Sequence, residues 1–407
     1  LVLLLKIIHY FLFFGGIMEL KIAVIGGGPA GRTASMYLAK NGFDVDLFER
    51  DRIGGTCLNY GCTYITGLRE MADILNNLSI LKGREINLEE IISFKELQEK
   101  INKIQDKIRN KLEKETKSLG VNIKYKEFKE EYREDYDYVV YATGRNYPSN
   151  YNGYEVLTHK DIPNLRELPE NILIIGGGTA GVEYASIFSD FGCNVVLYTR
   201  SKILKEIKDE EIRDYLMKKV INFKITNDKE EFEKLLKDDD YTKILAIGGK
   251  GIFETDEYLR VVNKEKTYAC GDCLINGGGN TPISRMEGRV AAQNIINEIN
   301  NKPLIKPNYE LIPKTIRLSL TISYVGKQTN EYKIIKSHIG RGNFFKVLSD
   351  VGINKIYYEN GKVVGAITMM PCAEVLPYFT QLIRGVDVYN NFIEVHPSTD
   401  IFYKEFR

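Results

Sequence analysis

Two cysteines, Cys57 and Cys62, stand five positions apart in the stretch Gly54-Gly55-Thr56-Cys57-Leu58-Asn59-Tyr60-Gly61-Cys62. A thiol at the start of a helix is biased toward the reactive thiolate, because that end of a helix favours negative charge. The spacing sets a geometric condition. In an uninterrupted helix, Cα atoms five positions apart lie about 8–9 Å from each other, whereas a disulfide spans roughly 4.4–6.8 Å. If the two residues bond, the helix must be distorted between them, and Gly61 is the residue most able to allow that. Two small buried side chains at a helix start fit the same spacing, so the pair alone leaves both readings open. Cys270 and Cys273 form a C-x-x-C, and their place at an apolar strand end favours packing over a second redox pair. His396 is one of four histidines, stands before Pro397, and carries a ring that titrates near neutral pH.

These side chains need a scaffold, and a repeated pattern supplies it. Residues 20–25 form an apolar run suited to a buried parallel strand. Gly26-Gly27-Gly28-Pro29-Ala30-Gly31 follows, then a helix from Arg32 to Asn41 and a second strand, Val45 to Phe48, ending in Glu49. Strand, G-x-G-x-x-G, helix, strand and acid together are the context of a dinucleotide site. Gly26 makes the tight turn, Gly28 admits the pyrophosphate, Gly31 lets helix and sheet pack closely, and Glu49 takes ribose hydroxyls. The unit returns as residues 171–175, Gly176-Gly177-Gly178-Thr179-Ala180-Gly181, a helix, and the strand 195–198. Each copy closes on a similar strand and turn, through Ala142-Thr143-Gly144-Arg145 and through Ala246-Ile247-Gly248. In the second copy Thr199 replaces the acid, with Arg200 and Lys202 after it. Cations there suit a 2′-phosphate, which favours NADPH over NADH; solvated surface charges fit as well.

Between the copies, Ile101, Ile104, Ile108 and Leu112 mark one apolar face of a charged helix within residues 88–118. Residues 224–243 include an exposed helix. From Lys306 onward strands are expected at 316–325, 344–347, 355–359 and 363–369, with Asn360-Gly361 as a hairpin turn, then a helix at 374–384. This reads as a separate α+β domain.

The chain has 407 residues, enough for two to three domains, with 43% hydrophobic and 27% charged residues. A formal net charge of +1 points to neither nucleic acid nor a membrane surface as partner. Six cysteines in so long a chain do not make a secreted disulfide scaffold, which fits a cytoplasmic protein, and no tract has the spacing of a zinc module. Residues 1–17 are apolar, short for a membrane span, and followed by Met18 directly before the first strand, so they read as an over-extended start.

The order of these motifs resembles the class I pyridine nucleotide-disulfide oxidoreductases, and Gly54 to Cys62 looks most like dihydrolipoamide dehydrogenase. The resemblance runs from Met18 to Arg407. It implies an α/β fold with two tandem Rossmann-type domains and a C-terminal α+β dimerisation domain. An FAD-binding domain would occupy residues 18–150 and 251–305, an NAD(P)-binding domain 151–250, and a dimer interface 306–407. FAD would contact Gly26, Gly28, Pro29, Ala30, Gly31, Glu49 and Arg50, then Gly55 and Thr56 beside the cysteines. Ala142, Thr143 and Gly144 would mark the crossing, Gly271 and Asp272 would meet the ribityl chain, and Thr281 would open the helix facing the pyrimidine edge. NADPH or NADH would meet Gly176, Gly178, Thr179, Ala180, Gly181, Glu183, Thr199, Arg200 and Gly248. In the implied reaction Cys57 and Cys62 form the redox disulfide. Cys62 would be the flavin-side sulfur, Cys57 would attack a small-molecule or protein disulfide, and His396, supplied across a homodimer, would carry the proton.

The chain departs from the family pattern at four places. Thr63-Tyr64-Ile65-Thr66 lacks the family's lysine, whose carboxylate partner matches Glu183. Ile401 stands where a glutamate should orient His396, with Asp400 one position early, and Thr179 replaces a tyrosine found in some relatives. Both nucleotide domains are also short. An NAD(P)H oxidase, a metal or quinone reductase, and a redox-sensing flavoprotein are therefore alternatives on the same fold.

Overall fold

The computed structural model describes residues 20–335, 352–369 and 376–385. Strand β1 (Lys21–Ile25) leads to helix α1 (Pro29–Lys40), β2 (Asp44–Glu49), the short α2 (Gly55–Asn59), α3 (Cys62–Lys82) and the long α4 (Phe94–Ser118). After β3 (Asn122–Tyr125) and β4 (Tyr138–Tyr141), a small hairpin, β5 (Asn150–Tyr151) and β6 (Tyr154–Glu155), precedes the second nucleotide fold. That fold runs through β7 (Asn171–Ile175), α5 (Thr179–Asp190), β8 (Asn194–Tyr198), α6 (Glu210–Lys219), β9 (Lys224–Thr226), α7 (Lys229–Lys237) and β10 (Tyr241–Leu245). Next come β11 (Thr267–Ala269), α8 (Thr281–Ile299), β12 (Lys314–Ile316), β13 (Ile322–Gly326), β14 (Tyr332–Ile335), β15 (Ile353–Glu359), β16 (Lys362–Met369) and α9 (Leu376–Ile383).

The chain divides into two compact units. The first comprises 1–59, 106–146 and 250–308, and the second 60–105, 147–249 and 309–407. Residues 60–105, which the sequence assigns with the first dinucleotide fold, thus group with the second unit, and the division of α4 falls at Asp106.

In the first unit a sheet ordered β11-β4-β1-β2-β3 pairs in parallel throughout. Its central strand β1 is apolar and buried from Ile22 to Ile25, as a strand covered on both faces must be. Helices α1 and α8 pack so closely that a Cβ on Gly288 would lie 2.3 Å from the Ala30 carbonyl oxygen. Asp46 is buried on β2. Burial alone would raise its carboxyl, but Lys124, Tyr136 and Asn122 outweigh that and hold it below the usual range. This is an α/β architecture of the Rossmann type.

The second unit repeats it with the parallel order β10-β7-β8-β9 and adds an antiparallel sheet, β12-β13-β16-β15-β14. The Asn360-Gly361 turn joins β15 and β16 with φ of 53° and 73° at its two residues, the signature that Asn-Gly predicts. Lys355, 2% exposed, crosses to the second nucleotide fold and places its Nζ 2.9 Å from both Asp209 oxygens. Asp209 also accepts the Ile212 amide and so caps α6.

Three expectations are corrected. The continuous strand expected at 316–325 is two strands joined at 317–321, because the Arg317 N–H leaves the sheet to donate to Glu183 Oε1 at 2.8 Å. Ile104 is 56% exposed; the buried stripe of α4 instead runs through Phe94, Leu97, Gln98, Ile101, Gln105 and Thr116. Its polar members find partners, Gln98 for instance donating to the Leu165 carbonyl at 2.7 Å. The helix expected from Arg32 starts at Pro29, where the fixed φ of proline suits a first helical turn. The strand expected at 344–347 lies outside the described residues.

Helix α3 is tied to α5 by Arg69, whose Nη1 lies 2.6 Å from Asp190 with both side chains about 95% buried; Ser186 accepts a second bond at 3.3 Å. Removing one member of such a pair strands a charge in low dielectric. Arg69→Met should lower unfolding stability by about 3–5 kcal/mol, read as a shifted urea midpoint. A shift under about 1 kcal/mol would mean that water reaches Asp190.

Candidate active site

The first glycine turn is shaped by contacts that exclude any side chain. Gly26 has φ +109°, and a Cβ there would lie 2.3 Å from the Ala142 oxygen; a Cβ on Gly31 would lie 1.9 Å from the Gly26 oxygen. Gly28 caps α1 without a side-chain hydrogen bond, leaving first-turn amides open at the positive end of the helix. Gly55, at φ +57°, abuts this turn, since its Cβ would lie 2.7 Å from the Gly28 Cα. The Gly54 N–H donates to the Gly27 carbonyl at 2.8 Å. The Cys57 helix is therefore built onto the glycine turn itself.

Glu49 closes the cradle. Its Oε2 accepts the Gly27 N–H at 2.7 Å and its Oε1 the Asp51 N–H at 2.8 Å. Gly271 reaches the same place, where its Cβ would lie 2.8 Å from the Ala30 Cβ. Asp272 accepts the Gly279 amide at 2.7 Å, and Thr281 begins α8, capped by Asn280. Gly26, Gly28, Ala30, Gly31, Glu49, Gly55, Ala142 and Gly271 are thus brought together. Arg50 points to Glu127, 3.7 Å away, with 66% of its side chain exposed; Thr56 and Thr143 are also exposed. An open helix end, an anchored acid and backbone in contact with backbone fit a dinucleotide of the FAD type.

The second turn has the same geometry in the second unit. A Cβ on Gly176 would lie 2.6 Å from the Ala246 oxygen and one on Gly181 2.0 Å from the Gly176 oxygen, while Gly178 and Gly248 face open space. Thr199 sits against Gly177 as Glu49 sits against Gly27, its Oγ1 2.7 Å from where a Gly177 Cβ would be. Arg200 and Ala180 are exposed. Lys202 spends its charge on Glu210 at 3.2 Å. The Thr179 hydroxyl lies 3.3 Å from Glu206, a carboxylate that sequence spacing did not single out.

The helix is interrupted between the two cysteines, which are not bonded to each other in this structure. Cys57 lies in α2 and is half-buried, whereas Cys62 is exposed at the first residue of α3. Tyr60 and Gly61 separate the helices, and Gly61 takes φ −115° and ψ −122°, neither helical nor extended. Cys270 and Cys273 are fully buried. Burial pushes the Cys273 thiol up to about 11, and its Sγ donates to the Tyr141 and Cys270 carbonyls at 3.3 and 3.2 Å. They are packing residues. His396 lies outside the described residues. Among the described residues, no cluster could hold a metal ion and no helix is long and apolar enough to cross a membrane.

Several positioning residues were given no role by the sequence, although Asn59 and Arg145 stand inside motifs that it marked. Asn59 Nδ2 donates to the Gly55 carbonyl at 3.0 Å, and its Oδ1 accepts from Arg109 Nη2 at 2.9 Å and Nε at 3.2 Å. Glu287, fully buried on α8, accepts the Gly271 and Gly278 amides at 2.7 and 3.0 Å. Arg145 donates to the Asp272 and Gly277 carbonyls. Arg109→Met should remove a charged hydrogen bond worth about 1.5–3 kcal/mol and speed amide exchange at residues 52–59. Unchanged exchange there would show that Asn59 holds the Cys57 helix without Arg109.

The chain is 86% identical to an uncharacterised protein of Methanocaldococcus jannaschii, covering 97% of this chain and 99% of that one. It is 24% identical to the dihydrolipoyl dehydrogenase of Bacillus subtilis over 93% of this chain and 96% of the relative. It is 30% identical to the soluble pyridine nucleotide transhydrogenase of Mycobacterium bovis over 49% and 47% of the two chains. The crystal structure of LpdA from Mycobacterium tuberculosis has the same fold, with a TM-score of 0.71 at 16% identity over 93% of this chain and 97% of that one. The pattern described as pyridine nucleotide-disulphide oxidoreductase matches residues 20–245, over half of the chain, which therefore belongs to that family of oxidoreductases.

Proposed function

We propose that this protein is an FAD-dependent NAD(P)H:disulfide oxidoreductase of the dihydrolipoamide dehydrogenase type, with Cys57 and Cys62 as its redox pair. The observation that carries the reading is the contact of Gly55 with Gly28, which seats the Cys57 helix on the first dinucleotide turn. FAD in that cradle would be held by the α1 amides, Glu49 and the Gly271-Asp272 turn, and when bound supplies two-electron transfer between a nicotinamide and a disulfide. The second turn would hold NADPH or NADH. Its buried Thr199 and exposed Arg200 leave room for a 2′-phosphate.

The residues' own roles follow. The Cys57 thiolate attacks one sulfur of the substrate disulfide, forming a mixed disulfide and releasing one thiolate, which takes a proton. The Cys62 thiolate then attacks Cys57 Sγ, releases the second thiol and closes the pair. His396, supplied across a homodimer, would hold the exchanged proton, and residues 306–407 would form the dimer interface. The reverse sequence oxidises a dithiol with the same groups. The substrate class is a disulfide, either of a small molecule or of a protein.

Anaerobic titration with NADH and NADPH, followed by a panel of disulfides, tests the reading. Cys57→Ser should keep its flavin, accept about two fewer electrons per chain and lose disulfide turnover; retained turnover would remove Cys57 from the mechanism. Gly31→Ala should yield a colourless protein, because its methyl would meet the Gly26 oxygen at 1.9 Å. Gly181→Ala, with the equivalent clash at 2.0 Å, should stay yellow but lose reduction by nicotinamide. If the two variants exchanged these outcomes, the assignment of the two turns would be reversed.

A further inference from the structure

The two nucleotide folds correspond residue by residue beyond their second strands. Glu49 and Ile53 stand beside Gly27, and Thr199 and Ile203 stand beside Gly177. The Gly54 N–H donates to the Gly27 carbonyl at 2.8 Å, and the Leu204 N–H donates to the Gly177 carbonyl at 2.8 Å. Gly54 has φ +103° and Leu204 φ +45°, so each chain turns back toward its glycine turn in the left-handed region. Two residues further on, Thr56 in the first copy matches Glu206 in the second. The chemistry differs at this place. Pro29 opens α1, whereas Thr179 opens α5 and brings its hydroxyl to 3.3 Å from Glu206 Oε1.

Glu206 is held where it stands. A leucine at positive φ is strained, and Leu204 is also fully buried. Arg213 fixes that bend, its Nη1 donating to the Leu204 and Ile207 carbonyls at 3.1 and 3.0 Å. The loop after β13 clamps the same segment through Gln328. Its Nε2 donates to the Glu206 carbonyl at 3.0 Å, and its Oε1 accepts the Lys208 and Asp209 amides at 2.7 and 3.0 Å. The Tyr324 hydroxyl, from β13, donates to the Glu206 carboxylate. Helix α5 carries no acid in its own first turn, and Gly178 adds no side-chain cap. The positive end of that helix favours a nearby negative charge, and Glu206 brings one from another segment. A nucleotide diphosphate would arrive at the same end. Carboxylate and diphosphate would then share one dipole and repel each other.

We propose that Glu206 sets the affinity of the second turn, its charge weakening the hold on the diphosphate of a nicotinamide dinucleotide and favouring release. The inference rests on the reading of that turn as the nicotinamide nucleotide site. The effect is one of charge, since a glutamine at the same place could accept the same hydrogen bonds from Thr179 and Tyr324.

Calorimetric titration of the flavin-containing protein with NAD⁺ and with NADP⁺ tests this. At about 20 mM salt, Glu206→Gln should lower the dissociation constant about three- to tenfold. Both nucleotides should gain alike, because both carry the same diphosphate. The gain should shrink at about 500 mM salt, where screening acts over a few ångströms. Glu206→Asp, which keeps the charge, should stay nearer the parent than the glutamine variant does. Should Glu206→Gln fail to fold, Glu206→Ala decides by the same measurement. Binding that is unchanged or weaker without the charge would overturn the proposal, and so would a gain that salt leaves untouched. Gly181→Ala should abolish the heat of binding, which locates that binding in the second turn. A parent that binds neither nucleotide, or binding that survives Gly181→Ala, would overturn the reading of the second turn itself and this inference with it.

Discussion

Two backbone contacts govern how this chain can be used. At Gly31 and again at Gly181, a helix comes so near the end of the preceding strand that a single methyl would stand within 1.9 and 2.0 Å of a carbonyl oxygen. Only glycine permits that approach. The gain is a helix end whose first amides stay free of side-chain caps and can meet a diphosphate. Each parallel sheet, with its apolar central strand, exists in service of that junction, since a strand that is not buried on both faces could not hold the turn so rigidly. Gly55 extends the same logic, because its lack of a side chain brings the Cys57 helix against the first turn.

Polar side chains buried behind this apolar framework set the finer placement of the thiols. Asn59 and Arg109 stitch α2 to α4, while Arg69 and Asp190 stitch α3 to α5. Such pairs cost desolvation that their attraction roughly offsets, so their contribution lies more in orientation than in net stability. The Glu183 carboxyl is different. It has an amide partner and no ion pair among the described residues, and burial, only partly opposed by that amide, pushes it up to about 7. The antiparallel sheet contributes through Arg317 and Lys355, one tethering Glu183 and the other the cap of α6.

Much of this was legible from spacing. Strand, glycine turn, helix, strand and terminal residue appear twice in the sequence and twice in the structure, because glycine at those positions is a steric demand that leaves a pattern. The Asn360-Gly361 hairpin was readable for the same reason, as its two positive φ values are tolerated by few residue pairs. Helix geometry required a break between Cys57 and Cys62 only if they bond; the structure breaks the helix there at Tyr60 and Gly61 with the two unbonded. The exposed Ile104 was not legible, since a period of 3.6 residues cannot tell which of two neighbouring stripes carries the glutamines that find buried carbonyls. Nor was the break in residues 316–325, where apolar continuity masked an amide diverted to a carboxyl far away in sequence.

By itself the sequence determined the two dinucleotide folds and the pair of cysteines that follows the first, because local sterics and short-range periodicity write such features into residue type and spacing. Tertiary structure alone decided which polar groups would be buried together. Arg109 with Asn59, Arg69 with Asp190, and Glu183 with the Arg317 amide meet only when distant segments pack. Packing also buries Glu183 and so raises its carboxyl, an effect of desolvation that no linear spacing records.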